Sequence, residues 1–91
     1  MANTRSALKQ ARQNVKRRIQ NRVYRSTART YIKRARALIE GGDLEQAQAT
    51  VRSAIRALDK AAQKGVIHKK NAARRKSRLM RLLNRAQSAA A

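Results

Sequence analysis

Cysteine, proline, tryptophan and phenylalanine are all missing from this chain, glycine occurs three times, tyrosine twice, and only four residues carry a carboxylate. Each absence removes a class of explanation. Without cysteine there are no disulfides and no thiolate metal sites, a composition compatible with a reducing cytoplasm. With four acids and one histidine there is no carboxylate cluster, no nucleophile with an oriented base and no metal-ligand spacing. No catalytic residue, metal or cofactor is therefore expected. Two tyrosines are too few for a base-stacking platform of the kind that reads single strands. No apolar run approaches the roughly 20 residues of a membrane span. A membrane-surface helix would carry tryptophan or phenylalanine beside one broad apolar face, and neither residue occurs. Met1-Ala2-Asn3-Thr4 leads straight into charged sequence without an apolar signal region, so the cytoplasm is the expected location.

What is present is positive charge. Twenty-four Lys and Arg against four acids give a net charge of +20 on 91 residues. The acids are Glu40, Asp43, Glu45 and Asp59, so the segments before and after them carry no negative charge at all. A solvated protein face ordinarily mixes signs to limit self-repulsion. This one does not, and a polyanion is the partner that such a charge demands. Sixteen of the cations are Arg, whose fork matches phosphate oxygens. A chain of this length buries only about 60% of its unfolded surface, which leaves little room for a deep cleft.

The stretch from Arg5 to Ile39 has no acid, glycine or proline and reads as one long basic helix. Its apolar residues form two stripes on roughly opposite sides: Leu8, Ala11, Val15, Ile19 and Val23, then Tyr24, Ala28, Tyr31, Ala35 and Leu38. Arg18, Arg22, Arg25, Arg29, Lys33 and Arg36 step by three or four away from the second stripe. Arg5, Lys9, Arg12 and Lys16 form another ridge beside the first. Thr4 or Ser6 is placed to cap the helix, and Gly41-Gly42 to end it. Asp43 is the expected cap of a second helix over 44–63, with Gln46 at the capping-box position and Leu44, Ala47, Val51, Ala54, Ile55, Leu58 and Ala61 as its apolar stripe. Gly65 ends that helix, Val66-Ile67 plugs the end of the bundle, and a third helix is expected over about 69–87. It carries Ala72, Ala73, Leu79, Met80, Leu82, Leu83 and Ala86, followed by a frayed Ser88-to-Ala91 tail.

Short connections require antiparallel neighbours, so the expected fold is all-α: a three-helix bundle with helices at about 5–40, 44–63 and 69–87 in a single domain, 1–91. The first helix, roughly 50 Å long, must overhang partners of about 30 Å. Its free part is placed at about 4–20, where the first stripe has no partner. An isolated helix of that length and charge is marginal in water and is expected to order on binding. Tyr24 and Tyr31 are expected in the core with hydroxyls at the rim. Asn21 and Asn71 stay undecided between solvent and RNA edges.

Polyanion leaves DNA and structured RNA. No helix-turn-helix signature is present, although an architectural DNA-compacting protein remains the alternative reading. Family likeness adds to this. Ser6-Ala7, Lys16-Arg17-Arg18 with Asn21, Arg25-Ser26, Arg29-Thr30, Gly42-Asp43, and above all Gly65-Val66-Ile67-His68-Lys69 followed by Ala72-Ala73-Arg74 and Lys76-Ser77-Arg78-Leu79, resemble the bacterial small-subunit ribosomal protein S20 family over essentially the whole chain. Gly41 stands where that family often has Ala. The resemblance implies a non-enzymatic three-helix protein that binds small-subunit ribosomal RNA early in assembly, touching its 5′ domain and 3′ minor domain, with no obligate protein partner and no membrane. It also implies that Lys16, Arg17, Arg18, Arg25, Arg29, His68, Lys69, Arg74, Lys76 and Arg78 face RNA. The basic ridges and runs add Arg5, Lys9, Arg12, Arg22, Lys70 and Arg75 to that set.

Overall fold

The computed structural model describes residues 4–90, which form three helices and no strand: α1 (Arg5–Glu40), α2 (Leu44–Gln63) and α3 (Lys69–Ala90). Local chemistry sets each boundary. Thr4, rather than Ser6, caps α1, its side chain accepting from the Ala7 amide at 3.2 Å. At the other end Gly42 takes the left-handed conformation at φ +82°, whereas Gly41 stays right-handed. The amides of Gly42 and Asp43 then donate back to the carbonyls of Ile39 and Leu38. This is a Schellman closure.

Asp43 belongs to that closure and also starts α2, where its Oδ1 accepts from the Gln46 amide. The closure recurs after α2. Gly65 sits at φ +74°, and the amides of Gly65 and Val66 reach back to Ala62 and Ala61. His68 then caps α3 twice, its carbonyl accepting from the Ala72 amide and its Nδ1 from the Lys70 amide at 3.1 Å.

Helix α2 packs against both others and is the spine of the bundle. Its buried residues are Ala47, Val51, Ala54, Leu58 and Ala61, alternating steps of four and three with an Ala in every second layer. Facing them on α1 are Ala28, Ile32, Ala35 and Ile39, with the same alternation of small and large. Small side chains let the antiparallel backbones approach, and the larger ones fill the layers between.

This seam differs from the expected stripe. Ala28 and Ala35 belong to both, but Ile39 is buried as well, and Ile32, half-buried like Tyr31 and Leu38, packs against the core on both sides. The reason is that α1 contacts two helices, so both sides of the Ala28–Ala35 line are covered. Helix α3 contributes Ala72, Leu79 and Leu83 to the core. Met80 and Ala73, one residue and about 100° further round, are exposed instead. The expected frayed tail is helix as far as Ala90, in keeping with alanine being the best helix former.

Helix α1 has 36 residues and spans about 54 Å, against about 30 Å for α2. The excess gives a rod-like molecule of 67 × 21 × 14 Å. Every residue from Leu8 to Gln20 is exposed, and the first half-buried positions at the bundle are Asn21 and Tyr24. The overhang is helical from Arg5 onward.

Candidate nucleic-acid interface

The connections of the bundle decide where charge collects. The tight α1–α2 turn holds Glu40, Asp43 and Glu45 at one end. The α2–α3 connection, Lys64 to His68, lies at the other end, against the base of the overhang. There Arg25 Nη2 donates to the Val66 carbonyl at 3.3 Å, tying α1 to the connection. A cleft opens beside this bond, walled by Arg25 and Arg29 of α1 and by His68, Asn71 and Arg75 at the head of α3. Its floor is small and apolar: Ala28, Ala61 and Val66 are buried there.

A second, open groove runs from Asn14 to Arg29 along α1, bordered by Arg17, Arg18, Arg22, Arg25 and Arg29. Arg25 and Arg29 line both features. The arginine track of the overhang therefore continues without interruption into the cleft. Among the described residues the one ion pair is Lys76 Nζ to Asp59 Oδ1 at 2.6 Å, so the other cations of the track and the cleft have no carboxylate partner.

The residues expected at the interface fall into three groups. Arg5, Lys9, Arg12, Lys16, Arg17, Arg18 and Arg22 stand exposed on the overhang and its base. Arg25, Arg29, His68 and Arg75 come together at the cleft, although the closest two across it in the chain, Arg29 and His68, are 39 positions apart. Lys69, Lys70, Arg74 and Arg78 are exposed on α3. Lys76 stands apart, half-buried and turned to Asp59 on α2. Such a partly exposed pair is weak, so it holds the lysine loosely.

Three features went unseen or undecided in the sequence. Asn71 lines the cleft, and its Oδ1 is buried without a hydrogen-bond partner. Asn14 and Ser26 border the groove. Only the four-residue step from Asn71 to Arg75 hinted that the asparagine shares a face with a cation. Tyr24 is half-buried, and Lys60 of α2 lies over its ring at 5.9 Å from the centroid, so its π-face is already engaged by a cation. On the overhang, Leu8, Val15, Ile19 and Val23 are each more than half exposed.

A family model described as ribosomal protein S20 matches residues 2–84. The chain belongs to the ribosomal protein S20 family. It is 57% identical over 84 residues to small ribosomal subunit protein bS20 of Thermomicrobium roseum, covering 92% of this chain and 85% of that one. The bS20 of Coprothermobacter proteolyticus is 55% identical, with 92% and 96% covered. That of Aquifex aeolicus is 48% identical over 86 residues, with 94% and 92% covered. These alignments span the overhang, the bundle and the α2–α3 connection together. Among the described residues no helix is long and apolar enough to cross a membrane, and no group of His, Asp or Glu is placed to hold a metal ion.

Proposed function

We propose that this protein is a structural component of the small ribosomal subunit in the cytoplasm, acting as one RNA-binding unit. It binds small-subunit ribosomal RNA directly and stabilises the RNA fold during assembly. The observation that carries this reading is the uninterrupted, carboxylate-free cation surface that runs along the overhang into the cleft at the head of α3. In mechanism, phosphates of one RNA element line the overhang against Arg5, Lys9, Arg12, Lys16, Arg17, Arg18 and Arg22. A second element meets Arg25, Arg29, His68, Lys69, Lys70, Arg74, Arg75 and Arg78, with Lys76 recruited from its loose pair. The bundle fixes the distance between the two sets, so the protein braces RNA segments that repel one another. The 5′ domain and the 3′ minor domain are the segments that family likeness suggests. No chemical step is involved.

Helices that neutralise phosphates without reading bases would also suit duplex DNA. A filter-binding competition at physiological salt separates the two readings. Labelled small-subunit ribosomal RNA should stay bound against excess transfer RNA and excess duplex DNA. Equal displacement by both competitors would overturn the ribosomal reading and favour DNA compaction.

A further inference from the structure

The cleft at the head of α3 combines two complementary deficits. Its walls supply more hydrogen-bond donors than acceptors, Arg25 giving one N–H to the Val66 carbonyl. The guanidinium groups of Arg25, Arg29 and Arg75 face no carboxylate there. His68 adds another donor, because its Nδ1 already accepts from the Lys70 amide and the ring proton therefore sits on Nε2. The same wall contains one acceptor with no donor, the buried Oδ1 of Asn71. An unmade bond of that kind is costly and calls for a partner. A phosphodiester group alone would satisfy the arginines but has no hydrogen to donate to Asn71.

We propose that this cleft is a ribonucleotide subsite, in which Arg25, Arg29 and Arg75 hold a phosphodiester and Asn71 accepts a hydrogen bond from the adjacent ribose 2′-hydroxyl. The proposal rests on the reading that the chain binds RNA, and adds that one site on it distinguishes RNA from DNA. A ribonucleotide offers anionic acceptors and a hydroxyl donor on neighbouring atoms, and the 2′-hydroxyl is the group that deoxyribose lacks. The cleft, of about 310 Å³, has room for a sugar and its phosphate, and its floor of Ala28, Ala61 and Val66 suits the C–H face of the sugar. Arg25 is held in place beforehand by its bond to the Val66 carbonyl, with its remaining N–H groups available. Asn71 is only partly buried, and the proposal requires its side chain to turn so that the buried Oδ1 meets a hydroxyl seated in the cleft.

The test is an NMR titration of the isotope-labelled full chain with the dinucleotide UpU and, separately, with its 2′-deoxy counterpart. Both carry the same bases and the same charge. UpU should bind roughly three- to tenfold more tightly, the range of one net hydrogen bond, and should shift the Asn71 side-chain amide signals where the deoxy compound does not. Asn71→Leu should abolish the preference while leaving the shared, phosphate-driven affinity in place, and Arg29→Ala should weaken both ligands alike. Equal response of the unaltered protein to the two dinucleotides, or no response at Asn71, overturns the subsite without relying on any variant. Preference surviving in Asn71→Leu overturns the role of Asn71. The ribosomal RNA competition is scored separately: success there with failure here rejects the subsite alone, whereas failure there rejects the broader reading.

Discussion

The two halves of α1 are built from the same kinds of residue and meet opposite fates. Both carry an apolar stripe and a basic ridge. Between Tyr24 and Ile39 the stripe is covered by α2 and α3, and Ala28 and Ala35 are almost fully buried. Between Leu8 and Val23 the stripe is bare, with Ile19 59% exposed. The difference lies in length, not in local sequence: α2 and α3 are too short to reach the first half. Helicity in the bundled half is secured by packing, whereas in the overhang it rests on propensity against the mutual repulsion of six cations between Arg5 and Arg18. One half builds a fold; the other projects from it.

Ionic strength should expose this difference most strongly. If about eight phosphates are neutralised, affinity for ribosomal RNA falls by roughly four orders of magnitude for a fourfold rise in salt. Removing residues 1–16 takes away four cations and should make that salt slope shallower by about three to four, with bundle helicity in circular dichroism largely kept. An unchanged slope would show that the overhang does not touch RNA. Wholesale loss of helicity would show that it supports the fold.

Next in size is a matched pair of truncations. Leu58→Ala, in the fully buried centre of α2, should destabilise the protein by about 2–5 kcal/mol in denaturant unfolding. Ile19→Ala, on the bare stripe, should change stability by no more than about 0.5 kcal/mol. Equal effects would erase the contrast between the halves. Gly42→Ala forces an L side chain into the left-handed turn that ends α1 and should cost about 1–2 kcal/mol. Smallest of all, Asp59→Asn removes the exposed pair with Lys76 and should cost at most about 1 kcal/mol, without weakening RNA binding.

Much of the fold was legible because its signals are local. Thr4 and Asp43 act as caps through their own side chains, and Gly42 and Gly65 end helices because a left-handed turn needs no neighbour to be favourable in glycine. The overhang was legible from arithmetic on helix lengths. The seam of α1 was less so. Two sets of apolar residues share Ala28 and Ala35, and only the presence of helices on both sides shows that Ile39 is buried while Ile32 packs half-buried against the core with Tyr31 and Leu38. Met80 was misplaced for a related reason: apolar character marks a face only to within about 100°, and the angle at which α3 docks sets the rest.

The interface divides along the same line. The exposed cations of the overhang follow from composition and helical spacing, since no other element reaches them. The cleft depends on folding, because Arg25 and Arg29 meet His68, Asn71 and Arg75 only when the chain turns back at Gly65. By itself the sequence determined three helices, the caps of the first two and an unpartnered basic overhang, and it pointed to a polyanionic partner, all consequences of interactions within a few residues or of net charge. Tertiary structure alone decided which isoleucines close the core, which lysine pairs with Asp59, and that an unsatisfied asparagine oxygen lies among arginines from distant parts of the chain. Those outcomes depend on how one helix is rotated against another, an angle that no local pattern encodes.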